Sequence, residues 1–142
     1  MADKADAPLA IEIRPVALRD AEAWTKLRCA LWPDGIEDHV AEIAAFFAGT
    51  LAEPVAVLAA IAKDGSMYGF AELSIRTDLP MLKDQRVGYV EGLYVVPEAR
   101  SRGLARALLL ASRDWARQQR CTSFASDRAD RVVVDHRYRI KR

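Results

Sequence analysis

The chain has 142 residues, 51% of them apolar, and a formal charge of +1. That is enough for one globular domain with a real core, and no apolar run is long enough to span a bilayer. The opening residues Met1 to Pro8 lack the basic-then-apolar order of a signal peptide, so the expected compartment is the cytoplasm. The small net charge conceals an asymmetry: residues 128–142 hold six of the 21 basic and two of the 20 acidic side chains, which leaves residues 1–127 at about −3. Such a body suits a cationic ligand better than a nucleic acid. Cys29, Cys121, His39 and His136 are isolated in sequence, so the expectation is two buried, reduced thiols, with no zinc site and no Cys-His nucleophile.

Taken in chain order, Ile11-Glu12-Ile13-Arg14-Pro15-Val16 alternates as a half-buried strand at a sheet edge, where Pro15 is tolerated. A helix follows, with Trp24, Leu27 and Leu31 on its apolar face and Pro33-Asp34-Gly35 ending it. A second helix carries a predicted core stripe of Val40, Ile43, Ala44, Phe47 and Leu51, with Glu37, Asp38 and Glu42 toward solvent. Pro54–Ile61 and Met67–Ile75 flank Lys63-Asp64-Gly65-Ser66 as a β-hairpin with a glycine where the turn needs one. After a loop from Arg76 to Gln85 comes a β-branched and aromatic strand through Val96. A long helix follows, with Leu104, Leu108, Ala111 and Trp115 at helical spacing, and then a strand at Cys121–Ser126. Trp24 and Trp115 are assigned to the core. One strand, two helices, three strands, a helix and a strand make an α+β fold: a mixed sheet with a parallel step across the long helix.

Arg100-Ser101-Arg102-Gly103-Leu104-Ala105 sits where that strand turns into the long helix. Unpaired backbone N–H groups and the positive end of the helix dipole favour an anion there, and Arg100, Arg102 and Arg106 add formal charge. Gly103 and the small Ala105 let the backbone approach phosphate oxygens. The turn reads as a cradle for a pyrophosphate.

Arg100-x-x-Gly103-x-Ala105 resembles motif A of the GCN5-related N-acetyltransferases (GNAT). Leu27-Arg28-x-x-Leu31-Trp32-Pro33, Gly69-Phe70-Ala71-Glu72-x-Ser74-Ile75-Arg76-x-Asp78, Glu91-Gly92-Leu93-Tyr94-Val95 and Ala125-Ser126-Asp127 together look like the aminoglycoside 6'-N-acetyltransferases of that superfamily. The resemblance runs from about Ile11 to Asp127. It implies the GNAT acyl-CoA fold, a mixed twisted sheet of α/β three-layer type, and divides the chain into an N-terminal segment 1–9, the acetyltransferase domain 10–127 and an atypical basic segment 128–142. It further implies that the two strands joined by the long helix splay apart and take the pantetheine arm of acetyl-CoA between them. Backbone groups of Leu93, Val95 and Val96 are then candidates for pairing with acetyl-CoA, and Arg100, Ser101, Arg102, Gly103, Leu104 and Ala105 for holding its pyrophosphate.

The implied chemistry is direct attack by a substrate amine on the thioester, with no covalent enzyme intermediate. A carboxylate beside an ammonium raises the ammonium's pKa, so Glu91 and Asp127 are first of all binding groups for a cationic sugar. Either is also placed by the resemblance to collect a proton through water, which makes them the catalytic candidates. Trp32 matches the tryptophan that lines the family's acceptor pocket. Asp78 and Glu72 are weaker pocket candidates, with Leu79 where the family commonly has tyrosine. The implied partners are a cationic aminosugar and acetyl-CoA, with neither nucleic acid nor membrane.

The pattern departs from the family after Asp127. A helix, turn and closing strand are expected there, and fifteen residues are too few for all three. Arg131-Val132-Val133-Val134 is a closing strand after an internal deletion, or the segment is a frame-shifted end, or it is a basic tail. Tyr138 is the one tail tyrosine available to protonate the departing thiolate. Missing elements would expose apolar sheet surface, from which a homodimer is expected. Two readings stay beside the leading one: an acetyltransferase for another small amine or peptide, and an inactive acyl-CoA-binding remnant.

Overall fold

A computed structural model describes residues 10–128, 131–135, 138 and 140; at Asp127, Arg128, Arg131 and Val132 it describes the backbone alone. The element order is β1 (Ile11–Pro15), α1 (Ala21–Leu31), α2 (Ile36–Ala48), β2 (Ala56–Ala62), β3 (Met67–Arg76), β4 (Val87–Val95), α3 (Leu104–Gln118), β5 (Ser123–Arg128) and β6 (Arg131–Val134). The sheet runs β1-β2-β3-β4-β5-β6 in space. Every neighbouring pair is antiparallel except β4 and β5, which the crossover through α3 makes parallel. This is the mixed sheet that the sequence predicts, with β1 and its Pro15 on the edge. The β2–β3 turn closes with the Gly65 N–H donating to the Ala62 carbonyl, and Gly65 has φ +89°. Of the three readings of the C-terminal segment, the closing strand is the one found: β6 pairs with β5 from Ala125↔Val134 to Arg128↔Arg131.

The helices pack on opposite faces of the sheet, as two glycines of β4 show. A Cβ built on Gly88 would fall 2.3 Å from the Ala116 Cβ of α3, whereas one on Gly92 would fall 2.5 Å from Trp32 Cη2 at the end of α1. Side chains two apart on a regular strand share a face. Gly88 and Gly92, four apart, do not, because β4 carries one extra residue: Glu72 pairs with Gly92 but Leu73 pairs with Val90. Glu91 is the bulge.

Two predicted helix stripes hold in part: Leu104 and Leu108 of α3 and Ile43 of α2 are buried as predicted, and other members are displaced. In α3 the buried residues are Leu104, Leu108, Leu109, Ser112 and Ala116, while Trp115 is partly buried against the core's margin. The helix lies so close to Gly88 that small side chains must face the sheet, and the bulky indole turns aside. In α2 the buried residues are His39 and Ile43, with Phe46 and Phe47 packed edge-on against Trp24; Val40 and Ala44 are exposed. Polar His39 replaces Val40 inside because buried partners await it. Cys121 is buried and Cys29 only partly so. Burial pushes the Cys121 thiol above its ordinary range.

Asp20, buried at the start of α1, accepts hydrogen bonds from Arg14 Nη1 at 2.8 Å, Arg14 Nη2 at 3.2 Å and the Ala17 N–H at 2.8 Å. The hydrogen bond from Arg14 leads in holding its carboxyl below the ordinary 3.8, and the Ala17 bond and the charge of Arg14 add to it against the opposing effect of burial. The folded state therefore binds fewer protons than the unfolded chain in acid. This contribution to stability is complete above about pH 5 and is lost as pH falls through the folded value. Asp20→Asn is expected to lower unfolding stability at pH 7 by about 1–2 kcal/mol. In urea titrations the gap between the two proteins narrows below about pH 4. A gap that does not change with pH would show that Asp20 contributes through shape alone.

Candidate active site

The pairing of β4 with β5 starts at Val87↔Ser123 and ends at Val90↔Ser126. β4 continues to Val95 and β5 to Arg128, so the two strands part after that rung. Glu91 and Asp127 are the first residues beyond it on either side. The register thus brings the two candidate carboxylate positions to the apex of one cleft, although the Asp127 side chain lies outside the described residues.

Past the bulge, alternate residues of β4 turn their backbone groups toward β3 and away from it. Val96 faces β3, since its N–H donates to the Tyr68 carbonyl at 2.9 Å, and its own carbonyl accepts the Ala99 N–H at 3.0 Å. Both backbone groups of Val96 are therefore spent within the protein. Leu93, by both backbone groups, and Val95, by its N–H, are the candidates that face the open cleft. The Val95 carbonyl accepts from Arg100 Nε at 2.9 Å, and the guanidinium lies 5.4 Å from the Tyr94 ring centroid. The Arg100 side chain is thus tied to the end of β4, which the sequence reading did not foresee.

At the mouth of the cleft α3 begins with Gly103 as its N-cap, at φ +79°. Ser101 is also left-handed, at φ +67°. The Ala107 N–H donates to the Gly103 carbonyl, so the N–H groups of the first helical residues have no acceptor inside the helix. A Cβ added to Gly103 would meet nothing of the protein within 4 Å. It would stand in open space at the helix start. Ala105 and Arg106 are exposed in the first turn, whereas the Leu104 side chain is core and offers only its backbone. The residues fit a pyrophosphate: free amide donors, exposed cations and a glycine whose missing side chain leaves room.

Glu91 is not a solvated strand-end carboxylate. Arg76 clasps it, with Nε at 3.0 Å from Oε1 and Nη2 at 2.8 Å from Oε1 and 3.0 Å from Oε2. The Arg76 guanidinium also lies 4.4 Å from the Tyr89 ring centroid. Burial alone would pull the arginine's pKa down, but the hydrogen bond and charge of Glu91 outweigh it and the net shift is upward. The guanidinium therefore lies against Glu91 as its close counter-charge. Arg76 pairs across the sheet with Val87, and its long side chain reaches four residues along β4 to Glu91.

Trp32 caps the end of α1, and its ring lies against Gly92 beside the bulge. The His39 ring stacks on it at 6.3 Å between centroids, and His39 Nε2 lies 2.7 Å from the Trp32 carbonyl, so that nitrogen carries the proton and donates. Nδ1 is then free to accept from Arg28 Nη1 at 3.3 Å. Arg28 in turn reaches Glu42 and the buried Glu72, Nε to Oε2 at 2.8 Å, and Trp24 Nε1 donates to the same Glu72 oxygen at 3.1 Å. Glu72 is therefore no pocket carboxylate. It is the buried counter-charge beneath the pocket, and burial raises its pKa against the opposing pull of Arg28. His39, isolated in sequence, is a member of this network that linear spacing had no means to reveal. Asp78 is exposed in the turn after β3, and the neighbouring Leu79 is buried with Val87, Tyr89 and Ala125. Tyr138 is core, with its ring edge-on to Phe124 at 6.2 Å. Among the described residues no cluster of metal-ligating side chains occurs and no helix is long and apolar enough to cross a membrane.

A cleft between parted parallel strands, with an anion cradle at its mouth, defines an acyltransferase that takes its acyl group from a nucleotide thioester. Residues 21–139 match the Acetyltransferase (GNAT) family, and the chain belongs to that family. Among curated proteins it is 49% identical over 116 residues to "Aminoglycoside N(6')-acetyltransferase type 1" of Klebsiella aerogenes, covering 81% of this chain and 76% of the relative. The relative of the same name from Stenotrophomonas maltophilia is 40% identical over 87% of this chain and 79% of its own length. Among solved structures, aminoglycoside N-acetyltransferase AAC(6')-Iy in complex with a bisubstrate analogue, CoA-S-monomethyl-acetylneamine, superposes with a TM-score of 0.73 at 33% identity, covering 84% of this chain and 80% of that one.

Gly92→Ala would drive its methyl group into the Trp32 indole, which His39 holds from the other side. The expected result is a stability loss of about 1–3 kcal/mol. The acceptor KM should rise with little change in the KM for acetyl-CoA. Steady-state kinetics with each substrate varied in turn reads this, and an unchanged acceptor KM would remove Trp32 from the pocket.

Proposed function

We infer that this protein is an aminoglycoside 6'-N-acetyltransferase: it transfers the acetyl group of acetyl-CoA to the 6'-amine of an aminoglycoside and so inactivates the antibiotic. The observation that carries the reading is the register, which sets Glu91 and Asp127 at the apex of the β4–β5 cleft while Trp32 lies against the bulge beside them. The relatives supply the acceptor class. Acetyl-CoA lies with its pyrophosphate on the amides of Gly103, Leu104 and Ala105, beside Ser101 and Arg102, and with its amide-bearing arm on the open edge of β4 at Leu93 and Val95. The neutral 6'-amine attacks the thioester carbonyl directly. Asp127 and Glu91 bind the aminosugar's ammonium groups, and either takes the proton released from the attacking nitrogen through water. Arg76 already balances Glu91, so Asp127 carries more of the electrostatic attraction. Trp32 offers an aromatic face to a sugar ring or an ammonium. Asp78 belongs at the outer margin of the same pocket.

The test is release of coenzyme A thiol with kanamycin or tobramycin as acceptor. Asp127→Asn is expected to cut kcat/KM by about a hundredfold, the loss of one charge-assisted contact and one proton path. Gly103→Glu, which sets a side chain and a negative charge before the phosphate cradle, should raise the KM for acetyl-CoA at least tenfold. Equal rates for all three proteins would overturn the site assignment. Turnover with other small amines but with no aminoglycoside would keep the fold's chemistry and change the acceptor.

The protein works in the cytoplasm, where its acyl donor is found, and as a homodimer. Two features support self-association: β6 forms the outer edge of the sheet beside the cleft, and α2 shows solvent an apolar row of Ile36 (59% exposed), Val40 (55%) and Ala44. Sedimentation velocity at micromolar concentration should give a dimer, and Val40→Glu should shift it toward monomer. A wild-type monomer would exclude this assembly.

A further inference from the structure

Two buried side-chain hydroxyls in the described residues lack a hydrogen-bond partner, those of Ser74 and Ser126. Their residues are 0% and 4% exposed. Native interiors seldom tolerate such groups, since folding strips their water and returns nothing, and each one calls for an explanation. Ser74 lies in β3 directly opposite Tyr89, where β3 and β4 are fully paired. Ser126 lies elsewhere. It forms the last β5 rung with Val90, one residue before the strands part. Side chains two apart on a strand share a face, so Ser126 sits on the face of Phe124. That is the α3 face, because a Cβ on Gly88 would meet both the Phe124 ring and Ala116.

The path a bound acyl-CoA must take ends at this point. The α3 N-terminus stands at the open end of the cleft, and the unpaired edge of β4 runs from there back to Glu91, one residue from the Val90–Ser126 rung. A chain of amides laid along that edge from a pyrophosphate on Gly103 brings its far end, the thioester, to the closed apex. There the only buried side-chain hydroxyl without a partner on either of the two parting strands, among the described residues, is that of Ser126.

We propose that the Ser126 hydroxyl donates a hydrogen bond to the thioester sulfur of bound acyl-CoA and to the thiolate as it departs. The proposal rests on the acyl-CoA reading given above. In the step, the amine lone pair forms the N–C bond, and the C–S bond breaks with its electron pair on sulfur. The nascent thiolate is held by the Ser126 O–H while the proton shed by the amine reaches it through water. Products are the amide and the coenzyme A thiol, with no proton gained or lost. This hydroxyl supplies a leaving-group donor from β5 itself, at the rung where the strands part.

The experiment compares wild type, Ser126→Ala, Ser126→Thr and Ser74→Ala by thiol release and by thermal melting with and without coenzyme A. Ser126→Ala removes an uncompensated buried group, so without ligand its melting temperature should equal or exceed that of wild type. Its kcat should fall about tenfold or more with the acceptor KM unchanged, and coenzyme A should raise its melting temperature less than that of wild type. Ser126→Thr keeps the hydroxyl and should recover most of kcat. Ser74→Ala should match Ser126→Ala in the ligand-free melt and keep the full coenzyme A shift. A Ser126→Ala protein with wild-type kcat and a wild-type coenzyme A shift overturns the proposal, as does one that melts several degrees lower without ligand yet keeps the full shift. If wild type itself shows neither thiol release nor a coenzyme A shift, it is the acyl-CoA reading that has failed.

Discussion

β4 cannot stay paired with β5 beyond Val90, and the rest of the molecule follows from that constraint. The extra residue at Glu91 breaks the β3–β4 register, and the strand bends away as bulged strands do. One local irregularity thereby does three things. It opens the cleft, places Glu91 at its apex, and moves Gly92 to the sheet face opposite Gly88, where the Trp32 indole occupies the space that a side chain would fill. A regular β4 would send Gly92 toward α3 and leave Trp32 without a seat. The cleft and the seat of Trp32 are thus two consequences of one inserted residue.

Charge is arranged around this cleft at different depths. Beneath the pocket, Arg28 and Glu72 form a buried pair completed by Trp24, Glu42 and His39, so that the ionised groups exchange lost water for hydrogen bonds. The network also fixes the tautomer of His39 and through it the carbonyl of Trp32. At the apex, Arg76 balances Glu91 in a half-buried pair. At the mouth the positive charge is exposed, where the desolvation cost of meeting an anion is small. Buried charges here serve shape, and the charge left for ligands lies at the margins.

Much of the fold was legible in the sequence. The order of elements, the hairpin with Gly65, the edge position of β1 and the parallel step all follow from periodicity and turn chemistry, which are local. The helix-start cradle was legible for the same reason, since a strand, a glycine and a run of arginines are contiguous in the chain. In α2 and α3 the stripes place Leu104, Leu108 and Ile43 correctly and Val40, Ala44 and Trp115 too deep. Hydrophobicity ranks Val40 above His39 and Trp115 above Ala116, whereas the structure ranks by fit: His39 finds Arg28 and the Trp32 carbonyl, and only a small residue clears Gly88.

By itself, then, the sequence determined which segments become strands and helices, and that a glycine and several arginines stand together at the start of α3, because each of these depends on neighbours a few positions away. Tertiary structure alone decided that Glu91 is a bulge held by Arg76, that Glu72 is a buried counter-ion, that Val96 has no backbone group left to offer, and that Ser126 is buried without a partner. Each of those depends on the register between strands and on what packs across from a residue, and pairing between segments distant in the chain leaves no periodic trace in either one.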